Sequence, residues 1–181
     1  MRKVLALGTA AASLAGVVAL ASPANAEDTV ATFTLTGNAT GLAISVPTGT
    51  TESPISLGSA ATGATTVGGQ LGNVVVTDTR GLLAAAWTAT ATSTDFTTGT
   101  ATANETVPTT RIAYNSGAGT AADGQVGTMT PGVSPALTAP ALSVWAGVGN
   151  NTVTFNPTLT FTLLPSQVAG TYRGTVTHSV A

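Results

Sequence analysis

A two-residue alternation of apolar and hydroxyl side chains recurs along this chain from Thr29 to its last residues, and no helical period competes with it after residue 26. Period-2 patterning rich in β-branched residues marks a half-buried strand. From Thr29 to Thr36, Ala31, Phe33 and Leu35 alternate with Val30, Thr32 and Thr34; after the turn cluster Gly37-Asn38-Ala39-Thr40-Gly41, Leu42, Ile44 and Val46 alternate again. The pattern predicts a hairpin. Val74-Val75-Val76 is a continuous apolar run, expected where a strand is covered on both faces. Asp78 and Arg80 flank a turn closed by Gly81, after which Trp87, Ala89 and Ala91 alternate with Thr88, Thr90 and Thr92. Val74–Phe96 therefore reads as a core hairpin that pins one sheet near the C-terminal strand. Further strands are expected at Thr109–Asn115, with Ile112 and Tyr114 on one face, and at Val153–Phe155, Leu159–Leu163 and Tyr172–Val180.

Strands and turns at this spacing predict an all-β, antiparallel β-sandwich or barrel-like domain of Ig-like type. Between the strands lie stretches dominated by Gly, Ser, Thr and Ala. Residues 47–73 hold two short candidate strands, at Pro54–Leu57 and Thr65–Val67, and Thr97–Pro108 reads as a loop. Residues 116–141 carry Pro131, Pro135 and Pro140, which argue against central strands, so this segment reads as a long surface excursion with a function or with short edge strands of its own.

The first residues have an addressing pattern. Arg2 and Lys3 precede an apolar run from Val4 to Leu20, followed by Ala24-Asn25-Ala26, a small-residue site of A-x-A type. The expectation is a signal peptide at 1–26 cleaved after Ala26, and a single secreted domain at 27–181 with no membrane insertion after processing. Beyond the leader, Arg80, Arg111 and Arg173 are the only cations against seven acids. That balance excludes a nucleic-acid partner, because phosphate binding needs clustered positive charge. With only 7% charged residues and no cysteine, the domain must be held by packing and sheet pairing without disulfides or thiolate metal sites.

Catalytic chemistry is not visible. His178 is the single histidine, on the strand face shared with Tyr172 and Val176, and its expected role is packing. Asp78, Asp95, Glu105 and Asp123 are spaced too irregularly to form an acid–base pair, and no calcium-loop or phosphate-loop spacing occurs. No catalytic, cofactor-binding or metal residue is assigned, and the chain reads as no enzyme. Asp78 and Arg80 are expected to pair within their turn. Trp87 is expected in the core, whereas Trp145, beside Gly-rich turns, fits either a core or an exposed position.

Two stretches carry a family resemblance. Val76-Thr77-Asp78-Thr79-Arg80-Gly81 leading to Trp87-Thr88-Ala89, and Tyr172-Arg173-Gly174-Thr175-Val176-Thr177-His178-Ser179-Val180, resemble the two signature regions of WxL-domain surface proteins of Gram-positive bacteria, in an actinobacterial-type variant. Trp87 matches the first tryptophan of that pattern, with Ala89 in place of leucine. Tyr172 and Thr177 match the second region, where Val176 and Val180 replace leucines and His178 stands at the tryptophan position. The resemblance implies a WxL-like β-domain that stays on the cell wall by non-covalent association with peptidoglycan. The expected function is thus a secreted, non-catalytic cell-surface protein with cell-wall glycan or peptidoglycan as partner. The alternative is a structural or adhesive subunit that meets other surface proteins, or its own copies, through edge strands.

Overall fold

A computed structural model of the chain describes residues 31–181; the expected leader, with Ala24 and Ala26 at its cleavage site, lies outside the described residues. The chain divides into two units, Met1–Thr34 and Leu35–Ala181. All of the regular structure described below belongs to the second.

That unit is an antiparallel β-sandwich, as the alternation predicts. One layer is a continuous sheet in the order β14 (Val176–Val180), β4 (Ala85–Ser93), β11 (Ala141–Val148), β9 (Val126–Thr130). The opposite layer comes in two halves. The first half runs β1 (Leu42–Ser45), β3 (Val74–Asp78), β12 (Asn151–Phe155), β8 (Thr120–Ala121), and the second runs β2 (Thr66–Gln70), β13 (Thr158–Thr162), β7 (Ile112–Asn115), β10 (Val133–Ser134). A short ribbon joins β5 (Phe96–Thr97) to β6 (Thr106–Val107).

The two halves share their strands. β2 and β3, β7 and β8, and β12 and β13 are pairs of consecutive segments, each interrupted at the same level of the layer. Asn156-Pro157 interrupts one strand because proline has no N–H to give to the ladder. Its neighbour is interrupted at Leu71-Gly72-Asn73, where Gly72 adopts φ +96, a conformation that side chains with a Cβ rarely take. The groups freed at the break are bonded across it. The Leu71 N–H donates to the Pro157 carbonyl at 2.8 Å, and the Gly72 N–H donates to Asn156 Oδ1 at 3.1 Å.

Each half covers its own core against the continuous sheet. Val74, Val76, Val153 and Phe155 pack with Trp87, Ala89 and Trp145. On the other side of the break, Ile112, Tyr114, Leu159 and Phe161 pack with Ala91, Phe96, Val107, Leu137 and Ala141. Alternation along β4 feeds both, since Trp87 and Ala89 enter the first core and Ala91 the second.

Several expectations are corrected. Ala31–Thr36, the described part of the expected first strand, belongs to no strand, and Phe33 and Leu35 are exposed. β1 consequently pairs with β3 and not with the segment before it. β3 and β4 lie in different layers, so Val74–Phe96 is a crossing between layers and not a hairpin; as expected, β4 does neighbour the C-terminal strand β14. The Val74–Asp78 strand is fully buried on one face and only half-buried on the other. Pro54–Leu57 forms no strand, whereas Thr65–Val67 marks the start of β2. In line with one of its two readings, the excursion at 116–141 holds short strands of its own, β8, β9 and β10, all at sheet edges, where proline nearby is tolerated. Residues 97–108 contain the β5–β6 ribbon and a short 3-10 turn at Ala103–Glu105.

Candidate functional site

The residues singled out by sequence fall into two groups that do not meet in one core. Trp87 is 2% exposed and lies in register with Trp145 across β4 and β11, with ring centroids 6.1 Å apart and planes 14° from parallel. Trp145 is 1% exposed, which settles its position as core. Gly127 and Gly147 leave the room that its indole fills, since a Cβ at either would run into the ring. Trp87 Nε1 donates to Asn151 Oδ1 at 2.9 Å, whereas Trp145 Nε1 is buried with no hydrogen-bond partner among the described residues.

Asn151 is the cross-strand neighbour of Asp78, which is fully buried at the end of β3. Its carboxylate is gripped by Arg80 on both oxygens, Nε to Oδ1 at 2.9 Å and Nη2 to Oδ2 at 2.8 Å, and Oδ1 also accepts the Arg80 backbone N–H at 3.0 Å. This is the turn pairing expected from sequence. The Arg80 side-chain bond is the main cause that holds the Asp78 carboxyl below its ordinary range, outweighing burial, and Asn151 adds to the same effect. Arg80 Nη2 goes on to donate to the Ala86 carbonyl at 2.8 Å, tying the crossing at Gly81 to the start of β4. The Arg80–Asp78 pair and the Trp87–Asn151 bond thus lie side by side at the paired positions Asp78 and Asn151, and the bonds Arg80 to Ala86 and Trp87 to Asn151 tie β4 to the opposite layer. Asn151 was not identifiable in advance, because an asparagine at a strand start has no distinguishing spacing.

Tyr172 belongs to the other core, where it packs while its hydroxyl lies 2.9 Å from the Val168 carbonyl and 3.1 Å from that of Asn104. Thr177 points outward from β14 opposite Thr92. His178 is half-buried on the inner face, its Nε2 3.1 Å from Tyr114 Oη. Burial alone lowers the His178 pKa and raises that of Tyr114, so both rings are neutral at pH 7. The unfolded chain protonates histidine near pH 6.5. Stability from the buried, neutral His178 ring is therefore fully present above that pH and is lost as pH falls from there through the lowered folded value. In urea titrations the midpoint is expected to drop between pH 7 and pH 5, and the drop to vanish in His178→Gln. A midpoint flat over that range in the parent chain would contradict the burial of a neutral His178 ring. Among the described residues, no group of three or more His, Cys, Asp or Glu side chains could hold a metal ion.

The marked residues are taken up largely by packing, and the outer face of the continuous sheet is a broad accessible surface. It presents Thr177 and Ser179 from β14, Ala86, Thr88, Thr90 and Thr92 from β4, Leu142, Val144, Ala146 and Val148 from β11, and Val126, Thr128 and Thr130 from β9. None of these side chains ionises. Thr90 and Ser179 share a hydrogen bond of 2.6 Å across two strands, and aliphatic groups alternate with hydroxyls from row to row, as in Thr88, Val144 and Thr130. Leu142, Val148 and Val126 stay 53%, 49% and 68% exposed, which makes the face apolar as well as hydroxylated.

No family model, curated protein or solved structure matches this chain.

Proposed function

We propose that this chain is an exported, non-catalytic surface protein that associates non-covalently with cell-wall glycan through the outer face of the β14–β4–β11–β9 sheet. The observation that carries the reading is that uninterrupted, uncharged face of threonine, serine and aliphatic side chains. A glycan strand offers C–H surfaces and hydroxyls on each ring. Threonine answers both with one side chain, its methyl by contact and its hydroxyl as donor or acceptor. The leader pattern at 1–26 and the resemblance of the Trp87 and Tyr172 regions to WxL-domain proteins support the same location, although Trp87 itself is sealed in the core and serves as scaffold.

The test is co-sedimentation with purified wall sacculi. The parent chain is expected in the pellet. Val144→Glu with Thr128→Glu, two exposed positions on the face, is expected to weaken retention by about tenfold or more while the circular dichroism spectrum is unchanged. If the parent chain stays in the supernatant under conditions that pellet a known wall binder, the reading fails.

A second reading, a subunit that self-associates through edge strands, is favoured by the unpaired outer edge of β2 and by the exposure of Phe33 and Leu35.

A further inference from the structure

Opposite the break from Trp87, the sandwich opens into a groove of about 1000 Å³ bordered by Val67 of β2 and by Val176 and His178 of β14. Its floor is core, with Phe96 and Phe161 lying 4.7 Å apart in an edge-to-face pair. One wall is the strandless stretch from Pro47 to Ala64. Part of that stretch, Leu57–Gly58, runs beside Gly68 and Gly69 close enough that a Cβ on Gly69 would touch Leu57, yet no backbone hydrogen bond joins it to β2. The N–H and C=O groups on the outer edge of β2 thus face a neighbour that does not pair with them. None of the devices that usually protect an edge, such as lysine, proline or a buried charge, occurs in its sequence TVGGQ.

The same chain carries a strand without a sheet. Thr32–Thr36 has the alternation of a half-buried strand, is uncharged, and matches the five residues of β2 in length, but Phe33 and Leu35 stand 86% and 88% exposed. Leu57 is the partly buried side chain by which the strandless stretch packs on the core that holds Phe96 and Phe161, and two large apolar side chains on one face of an extended segment can take its place there. The donor cannot be the groove's own chain. Gly37 lies against the Arg80 carbonyl and the Asn38 N–H donates to the Thr79 carbonyl at 3.0 Å, which pins this end at the far tip of β3. From Thr79 back to Val67 the layer extends roughly 30–40 Å at strand rise, whereas Leu35 is separated from Gly37 by at most about 7 Å of chain.

We propose that Thr32–Thr36 of one copy adds as a strand to the outer edge of β2 in a second copy, displacing Leu57–Gly58 and seating Phe33 and Leu35 over Phe96 and Phe161. Main-chain bonds to β2 supply affinity, and the two side-chain seats supply register. Because donor and acceptor lie on different parts of the chain, the contact is heterologous and closes by reciprocal exchange or as a ring, or repeats into linear arrays. The inference rests on the self-association reading and gives it a site.

The chain contains no cysteine, so introduced cysteines report one contact each. Exported protein carrying Leu35→Cys, mixed with differently tagged protein carrying Thr66→Cys or Gln70→Cys, is expected to form a mixed disulfide dimer under mild oxidation. Light scattering of the parent chain is expected to show mass rising with concentration. Phe33→Asp with Leu35→Asp is expected to weaken that association at least about a hundredfold, with an unaltered circular dichroism spectrum because both residues are exposed. Multimers that persist in the double aspartate variant overturn the strand donation and leave self-association through another surface standing. A strictly monomeric parent chain overturns both. A disulfide formed only within single chains of a Leu35→Cys, Gln70→Cys double variant overturns donation between copies.

Discussion

Trp87→Ala is expected to cost about 3–5 kcal/mol in unfolding free energy, read as a large fall in the urea midpoint followed by far-UV circular dichroism. Three losses coincide at this position. The substitution empties a fully enclosed volume against Val74, Val76, Val153 and Phe155, which meet from the opposite layer. It removes the stacked partner of Trp145, 6.1 Å away. It also leaves Asn151 Oδ1 buried without the indole donor it now accepts. Phenylalanine separates these causes. Trp87→Phe keeps most of the packing but still strands Asn151 and is expected to cost about 1–3 kcal/mol. Trp145→Phe deletes a donor that has no partner and is expected to be the milder of the two indole-to-benzyl changes. Equal costs for the two phenylalanine variants would show that the Trp87–Asn151 bond contributes nothing.

The second large effect is expected at Arg80. Asp78 is fully buried, while the Arg80 side chain is 21% exposed, so the two partners of this ion pair are not equivalent. Arg80→Ala leaves an enclosed carboxylate with neither of its guanidinium bonds and is expected to destabilise by about 3–5 kcal/mol at pH 7. Asp78→Asn retains a hydrogen-bonding group in the enclosed position and leaves the cation near water, and is expected to cost less. The pH dependence gives the sign. In the parent chain the folded pKa of Asp78 is below its ordinary value of 3.8, so its stabilisation is present above that pH and is lost as pH falls through the folded value. Without Arg80 burial dominates and raises the folded pKa, so the variant gains from protonation what the parent chain loses. The gap between Arg80→Ala and parent should therefore narrow as pH is lowered from 7 towards 4. A constant gap would mean that the cost lies in packing of the arginine stem and not in the stranded charge.

How much of this could be read from sequence depended on whether one segment carried its own evidence. β4, β12 and β13 were legible because alternation, β-branching and bounding turn residues all agree within a few residues of each other. β9 was hidden because VGTMT has weak alternation and owes its place to pairing with β11, which seats Gly127 against Trp145. The crossing at Asp78-Thr79-Arg80-Gly81 has turn chemistry that serves a hairpin and a layer change equally well. Only the partners of β3 and β4 distinguish the two, and those are β1 and β12 for one strand and β11 and β14 for the other. Ala31–Thr36, the described part of the expected first strand, shows the reverse case, a strand pattern that is not paired among the described residues. The turn pairing of Asp78 with Arg80 and the core position of Trp87 were both expected, but the bond from Trp87 to Asn151 joins residues far apart in the chain and has no local signature. The outer face of the continuous sheet was legible only as a threonine ladder on β4, since its aliphatic half comes from β11.

Both tryptophans sit on one side of the break in the second layer, and the core on the other side is built on Phe96, Phe161, Tyr114 and Tyr172. Indole emission from this protein is therefore a local reporter. It follows the half that holds the Arg80–Asp78 pair and Asn151 and is blind to the half that holds the groove. Agreement between an emission trace and a backbone probe would be evidence that the seam at Gly72 and Pro157 transmits cooperativity, and a lag between them would make the domain two foldons sharing the strands β4 and β11.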